Sequence, residues 1–199
     1  MKSDGSALAA VLRRVDEINA ADPNTLTVDG VERPKELVHA EMMTEWLLRL
    51  DPEAGTEQRI AARAHHLRRW ALPRSEYPEG RAGYLKWRTE LSRRHAAEVT
   101  AIMADEGFGP EPIDRVTQIV RKRDIKGDPA VQTHEDALCL VFLSTQFEKL
   151  IADHGEDKVV EIVAKTLAKM SADGIAHANA LDYTPTERAV LDRAVASIA

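Results

Sequence analysis

Apolar residues recur at three- and four-residue spacing along most of this 199-residue chain. Such spacing places side chains on one face of a helix. In residues 6–20 the apolar positions are Leu8, Val11, Leu12, Val15 and Ile18. Only residues 24–34, NTLTVDGVERP, alternate around an Asp29-Gly30 turn signal, and Pro34 limits them to a small hairpin or an ordered loop. The pattern therefore predicts an all-α fold.

Breaks between the periodic segments predict about eight helices. The expected helices span residues 6–20, 34–50, 56–70, 84–106, 110–120, 131–154, 157–177 and 185–198. The last begins with Thr184-Pro185-Thr186-Glu187, where a capping threonine, a proline and a glutamate three residues after the cap are typical of a helix start. A chain of this length can bury one sizeable core. We therefore predict a single-domain helical bundle over residues 1–199.

The sequence argues against export and membrane insertion. Charged residues interrupt the apolar positions of the first twenty residues, unlike the core of a secretory signal. No apolar run approaches the roughly 18 residues that a bilayer span needs. The single cysteine, Cys139, lies in the apolar run LCLVFL and is expected to be buried. We expect a cytoplasmic protein with no membrane partner.

Positive charge is concentrated between Arg59 and Arg94, with ten basic and three acidic residues, although the whole chain has a net charge of −6. A focused positive field on an acidic protein favours an anionic ligand. The basic residues around the loop of residues 71–83 are Arg68, Arg69, Arg81, Lys86 and Arg88. Arginine suits bidentate contact with phosphate. These five are either substrate-binding residues or part of a solvated helix face, which is the commoner role of a charge run.

Several metal-competent side chains share the apolar face of their predicted helices. His39 lies four residues before Met43, and His95 lies four residues after Leu91. Asp136 precedes the apolar residues of the most hydrophobic helix, and a buried carboxylate is costly unless it meets a cation or a metal. Imidazole and carboxylate together suit iron, manganese, zinc or nickel. The other interpretation is that the histidines are hydrogen-bonded core residues and that Asp136 pairs with an arginine.

Two adjacent histidines, His65 and His66, lie near the end of the third predicted helix. Neighbouring helical residues point about 100° apart, so both cannot face one ion equally. The apolar positions Ile60, Ala64 and Leu67 place His66 nearer the core than His65. We predict that His66 is a metal ligand and that His65 contacts at most the ligating residues or the substrate. The full predicted metal-binding set is His39, His65, His66, His95 and Asp136.

The order of His39, the His65-His66 pair and Asp136 within EDALCLVFLS resembles the HD-type metal-dependent phosphohydrolase superfamily. This resemblance implies an all-α bundle in which His39, His65 and Asp136 hold a metal and phosphate esters, often of nucleotides, are hydrolysed. His66 stands where the superfamily has aspartate, and LRRW follows where a small residue and a lysine are usual. The resemblance therefore implies either a metal held with an extra histidine or a fold that has lost catalysis.

The longer pattern HHLRRWALPRSEYPEGRAGYLKWR is similar to a family of uncharacterised proteins known only as a domain of unknown function. From these observations we expect a divergent HD-like hydrolase that acts on a phosphorylated small molecule or a nucleotide. The alternative is a non-catalytic helical module that binds nucleic acid or another phosphorylated ligand. Its aromatic residues for stacking on bases would be Trp70, Tyr77, Tyr84 and Trp87. The catalytic residues and the oligomeric state are left open.

Overall fold

The computed structural model describes residues 4–198, and most of these residues are helical. The first five helices are α1 (Asp4–Asn19), α2 (Lys35–Leu50), α3 (Thr56–Arg63), α4 (Gly80–Asp105) and α5 (Pro110–Val120). The remaining helices are α6 (Pro129–Thr145), α7 (Phe147–His154), α8 (Glu156–Leu167), α9 (Ala172–Asn179) and α10 (Pro185–Ala196). The prediction of a mainly helical fold is confirmed.

A single hairpin lies between α1 and α2. Its strands, β1 (Thr25–Val28) and β2 (Val31–Pro34), pair antiparallel with Val28 opposite Val31. Asp29 and Gly30 both have positive φ, at 51° and 79°. Two positive φ values at the turn are the signature of the type I′ turn that the Asp-Gly pair predicts.

The predicted third helix ends seven residues too late, because α3 stops at Arg63 rather than at Trp70. The following residues form turns, and Arg69–Ala71 form a short 3-10 helix. Arg68 adopts a left-handed backbone with φ of 53°, which a helix cannot include. Its N–H donates to Asn19 Oδ1 at 3.2 Å, so a contact distant in sequence fixes this turn. Periodicity within residues 56–70 carries no information about that contact.

Two other predicted helices are each divided in two, which is why the structure has more helices than the eight predicted. The segment of residues 131–154 breaks at Gln146, whose φ of −126° is not helical, and gives α6 and α7. The segment of residues 157–177 breaks before Ser171, which caps α9 by accepting a hydrogen bond from the Gly174 N–H at 3.0 Å. A serine cap favours a new helix start over continuation of the preceding helix.

The chain forms two compact units, the first ending at Arg123 and the second beginning at Asp124. In the first, α3 packs against α1, α2 and α5, and α4 packs against α5. In the second, α8 packs against α10, and α6 packs against α9. Cys139 is buried in the second unit, as predicted. The prediction of one domain over the whole chain stays a prediction.

Within residues 4–198, none of the helices has both the length and the apolarity required to span a membrane.

Candidate metal centre

Three buried or half-buried side chains of the first unit form a group that could hold a metal ion. Glu36, His39 and His66 each offer one ligand atom, and these atoms all lie within 4.8 Å of one another. The first two residues come from α2, and the third comes from the turn that follows α3. Two of the five residues of the predicted metal-binding set, His39 and His66, therefore lie together in this group.

Helix α2 brings Glu36 and His39 onto one face because they are three residues apart. Glu36 lies in the first turn, where the helix dipole favours a negative charge. Its backbone N–H donates to Asp22 Oδ2 at 3.0 Å, which fixes the start of the helix. Further along the same face, Met43 and Leu47 are buried in the core. The apolar face of α2 thus holds both side chains inside the protein.

The end of α1 fixes the turn that carries His66. Asn19, the last residue of α1, is fully buried and accepts the hydrogen bond from Arg68 that holds the left-handed backbone. Asp16, one turn earlier on α1, receives two hydrogen bonds from the guanidinium of Arg63, at 2.6 and 2.8 Å. Contacts on both sides of His66 therefore hold this turn against α1.

The carboxylate of Glu36 lies between the two imidazoles. Its Oε2 atom is 3.1 Å from Nδ1 of His66 and 3.4 Å from Nδ1 of His39. A tetrahedral zinc ion with bonds of 2.0 to 2.1 Å would separate its ligand atoms by about 3.4 Å. The two pairs of atoms are therefore already near the spacing that a metal ion would impose.

The tautomer of His66 follows from its two hydrogen bonds. Arg69 Nη1 lies 3.2 Å from His66 Nε2, and a guanidinium can only donate, so Nε2 accepts. The imidazole proton is therefore on Nδ1, which donates to Glu36 Oε2. Burial and the neighbouring Arg69 lower the pKa of His66 to about 3. At neutral pH this imidazole is neutral, which is the form that binds metals.

Glu36 is ionised. Burial alone would raise the pKa of its carboxyl group, but the neighbouring His66 and His39 outweigh burial and lower that pKa. The group thus combines one carboxylate with two imidazoles. Two histidines and one carboxylate are the protein ligands of several catalytic zinc sites and of non-haem iron sites, which keep coordination positions open for water or substrate.

His39 carries the strongest sign that something is bound here. The residue is only 3% exposed, yet its Nε2 atom has no hydrogen-bond partner among the described residues, and its Nδ1 atom has only the 3.4 Å contact with Glu36. A buried polar group without a partner costs about 1–3 kcal/mol. Such groups are rare in native proteins. A metal ion bound to the unpartnered nitrogen of His39 would supply the missing interaction.

The two other histidines of the predicted metal-binding set also lie beside His66. The ring centroid of His95 is 6.0 Å from that of His66, and the ring centroid of His65 is 4.3 Å away. Both residues are buried, but neither is among the three donors that lie within 4.8 Å of one another. His95 Nδ1 lies 2.8 Å from the Leu67 carbonyl oxygen, and burial lowers the pKa of this histidine to about 4.

Asp136 belongs to the second unit, where protein atoms contact both carboxylate oxygens. Oδ1 accepts hydrogen bonds from Gln132 Nε2 and from the Ser171 N–H, both at 2.9 Å, and Oδ2 accepts one from Ser171 Oγ at 2.6 Å. A Cβ atom at Gly174 would lie only 2.7 Å from Asp136 Cγ, so the glycine makes room for the carboxylate. These contacts fix the start of α9. The role of Asp136 as a metal ligand stays a prediction.

Much of the positive charge between Arg59 and Arg94 is neutralised by local ion pairs. Arg68 and Arg94 both pair with Glu98, at 3.2 and 2.8 Å. Arg93 likewise pairs with Glu90. These arginines lie on solvated faces and are less suited to bind an anionic ligand than the sequence indicates.

Three of the five predicted substrate-binding residues keep an exposed cation, whereas a fourth, Arg69, is partly buried and lies 4.0 Å from Glu36. Arg69 stacks its guanidinium 5.0 Å from the ring centroid of Trp87, and Arg88 lies 5.7 Å from that of Tyr84. Arg81, Lys86 and Arg88 are exposed, whereas the Arg69 side chain is only 32% exposed. Burial lowers the pKa of Arg69, which nevertheless stays charged at any physiological pH. Of the five, Arg69 is the residue that touches the metal-binding group.

Glu36 is absent from the residues predicted from the sequence, although the sequence contains a signal for it. Glu36 precedes His39 by three residues in a predicted helix, so both had to lie on the same face. A glutamate in the first turn of a helix is common for dipole reasons alone, which conceals such a ligand.

A family model described as a domain of unknown function, DUF4202, matches residues 9–191. Searches of curated proteins and of solved structures find no match to the chain. These comparisons confirm the resemblance to an uncharacterised family and do not confirm the resemblance to HD-type phosphohydrolases.

Proposed function

We propose that this chain, which belongs to the DUF4202 family, is a metal-dependent hydrolase of phosphate esters with Glu36, His39 and His66 as metal ligands. The observation that carries the proposal is the buried His39, whose Nδ1 atom lies beside an ionised carboxylate and whose Nε2 atom has no partner among the described residues. A stable core would satisfy these groups with protein atoms.

The donor set favours a transition metal over magnesium. Imidazole nitrogen suits iron, manganese, zinc and nickel, whereas magnesium is bound mainly through oxygen. When bound, such an ion would supply an activated water and polarise a phosphoryl oxygen. Glu36 contributes a negative charge that offsets the charge of the cation. To bind the ion through Nδ1 as a neutral imidazole, His66 would move its proton to Nε2 and release the contact with Arg69 Nη1, whereas His39 already has an Nε2 atom without a partner among the described residues.

The position of Arg69 supports the proposal that the substrate is phosphorylated. Its Nη1 atom contacts His66, while its stacking on Trp87 orients the planar guanidinium at the edge of the metal-binding group. A partly buried guanidinium is well suited to bind phosphate oxygens and to stabilise charge that develops during phosphoryl transfer. The exposed Arg88 and Lys86 would attract the same anion from solution.

Metal analysis of the protein purified without a histidine tag tests the proposal. Wild type should hold about one equivalent of a transition metal after dialysis against zinc or manganese, and His39→Gln should hold less than about a tenth of that. His154→Gln is the matched control, because His154 is exposed at the end of α7 and should not matter. Wild type that takes up less than about 0.2 equivalents on addition of any of these metals would overturn the metal site.

Phosphatase assays then test the activity of the metal-loaded protein. A panel of mononucleotides and sugar phosphates should include a substrate whose hydrolysis is abolished by His39→Gln and weakened by Arg69→Gln. Normal metal content without hydrolysis of any phosphate ester would retain the metal site and reject the hydrolase.

One surface feature favours the second candidate, a non-catalytic module that binds nucleic acid or another phosphorylated ligand. Tyr84 is 42% exposed and lies beside the guanidinium of Arg88, an arrangement that could stack on a base. Trp87 is less suited, because it is 8% exposed and its Nε1–H donates to the Leu72 carbonyl. RNA binding that weakens steeply with salt and is reduced by Tyr84→Ala would support this module. Absence of binding at low salt would exclude it.

A further inference from the structure

A second buried imidazole nitrogen beside the metal centre lacks a partner. His95, on α4, is 4% exposed, and its Nε2 atom has no hydrogen-bond partner among the described residues. The arrangement resembles that of His39, although His95 lies on a different helix. Two such atoms around one half-buried histidine, His66, are unlike the satisfied polar groups of an ordinary core.

The Leu67 carbonyl determines which nitrogen of His95 carries the proton. Since a carbonyl oxygen only accepts, the 2.8 Å contact requires an N–H on Nδ1. The other nitrogen, Nε2, therefore presents a lone pair on the side of the ring away from Leu67. Metal-ligating histidines typically donate their second N–H to a backbone carbonyl or a carboxylate in this way.

The rings of His39 and His95 each lie within about 1 Å of the distance from the His66 ring that a common tetrahedral ion would impose. In a tetrahedral site with zinc–nitrogen bonds of 2.0 to 2.1 Å, the ring centroids of two ligating histidines lie about 5.2 Å apart, and about 6.4 Å is reached only when the two nitrogens lie on opposite sides of the ion. The centroids of His39 and His66 are separated by 6.2 Å, and those of His66 and His95 by 6.0 Å. His95 therefore lies as close to His66 as does His39, which already belongs to the metal-binding group.

We propose that His95 Nε2 is a fourth ligand of the ion held by Glu36, His39 and His66. The inference rests on the metal site of the proposed function. Because His95 is not yet within the 4.8 Å of the other donors, its ring would move towards the ion on binding. The turn after α3 would then serve two ligands, since it carries His66 and orients His95 through the Leu67 carbonyl.

Nitrogen-15 NMR of the histidine side chains tests this assignment on the wild-type protein. Saturation with Zn²⁺ should shift the Nε2 resonance of His95 and one nitrogen each of His39 and His66. An unchanged His95 Nε2 with shifted His39 and His66 would overturn the fourth ligand and keep the proposed function. Unchanged signals from all three would reject the metal site itself.

A titration with Co²⁺ gives a second, independent readout. His95→Gln should weaken Co²⁺ binding by at least about tenfold and change the intensity of the cobalt absorption bands, because the number of ligands falls. His154→Gln is the control, since His154 is exposed at the end of α7 and should leave both the affinity and the spectrum unchanged. A His95→Gln protein with the wild-type affinity and spectrum would contradict the proposal.

Discussion

Each of the two units buries a cluster of residues that could bind a metal, but the hydrogen bonding of the two clusters differs. In the second unit, the Asp136 carboxylate accepts hydrogen bonds from Gln132 and Ser171, and Glu135 accepts one from Lys169 at 2.9 Å. In the first unit, Nε2 of the buried His39 has no hydrogen-bond partner within residues 4–198. The sequence pattern does not distinguish these two clusters, because each places ionisable side chains on the apolar face of a helix.

The difference separates structural residues from candidate ligands. Hydrogen bonds that satisfy a buried carboxylate hold its neighbours in place, as the start of α9 is held by Asp136. Buried nitrogens without partners destabilise the apo protein. Sequences that keep such groups usually do so for function. The predictions below test this contrast from the largest expected effect to the smallest.

Removing the carboxylate of the first cluster should have the largest effect. Glu36→Gln removes the one negative charge among the three donors, so Zn²⁺ affinity should fall at least about a thousandfold, more than the 10- to 100-fold typical of residues around the ligands. Isothermal titration calorimetry with a competing chelator measures this. Glu45→Gln, on the exposed face of α2, is the control and should bind as wild type does. A loss below tenfold would mean that Glu36 is not a ligand.

Removing the carboxylate of the second cluster should affect stability instead. Asp136→Ala leaves the hydrogen-bond donors of Ser171 and Gln132 unsatisfied, so the free energy of unfolding should fall by about 2–4 kcal/mol. Urea denaturation should give the same loss with Zn²⁺ and with EDTA. Asp173→Ala, an exposed neighbour in α9, should change stability by no more than about 0.5 kcal/mol. A loss seen only with Zn²⁺ would make Asp136 a metal ligand.

The adjacent histidines should differ by at least about tenfold. His66→Ala removes a donor 3.1 Å from Glu36, whereas His65 lies outside the group, so Zn²⁺ affinity should fall further in His66→Ala. Calorimetry on both variants measures the ratio. Equal losses would show that both imidazoles bind the ion, and a larger loss at His65 would favour the superfamily resemblance.

The smallest predicted effect is the pH dependence of the metal-free protein. Native pKa values of about 3 for His66 and about 4 for His95 lie below the ordinary value of 6.5. Their stabilising contribution is therefore fully present above pH 6.5 and is lost as the pH falls towards the native values. Between pH 7 and pH 6, each histidine should lower the free energy of unfolding by about 0.7 kcal/mol.

Urea denaturation in EDTA at the two pH values measures this loss. His66→Gln should reduce the dependence, whereas His154→Gln, with its exposed imidazole, should not. The lowered pKa of Glu36 affects the free energy of unfolding only at more acidic pH, below the ordinary carboxyl value of 4.5. An identical pH dependence in wild type and His66→Gln would contradict the assignment of a neutral buried imidazole.

These comparisons show which features of the fold and of the site can be predicted from the sequence. Helix caps that depend only on neighbouring residues were predictable. The cap of α10 is an example, because Thr184 and Glu187 form both reciprocal hydrogen bonds there. The preference for His66 over His65 rested on a helix continuing to Trp70, whereas α3 ends at Arg63 and a contact with Asn19 shapes the turn. Local periodicity cannot reveal that contact. Nor could it show that Ser171 donates hydrogen bonds to Asp136 while Nε2 of His39 is left without a partner among the described residues.

A crystal of the untagged protein soaked in Zn²⁺, with anomalous data collected at the zinc edge, tests the central claim most directly. The account predicts one strong anomalous peak within about 2.2 Å of a Glu36 oxygen and of nitrogens from His39 and His66. A protein that folds and crystallises but shows no peak there, or shows its peak at other residues, would contradict it.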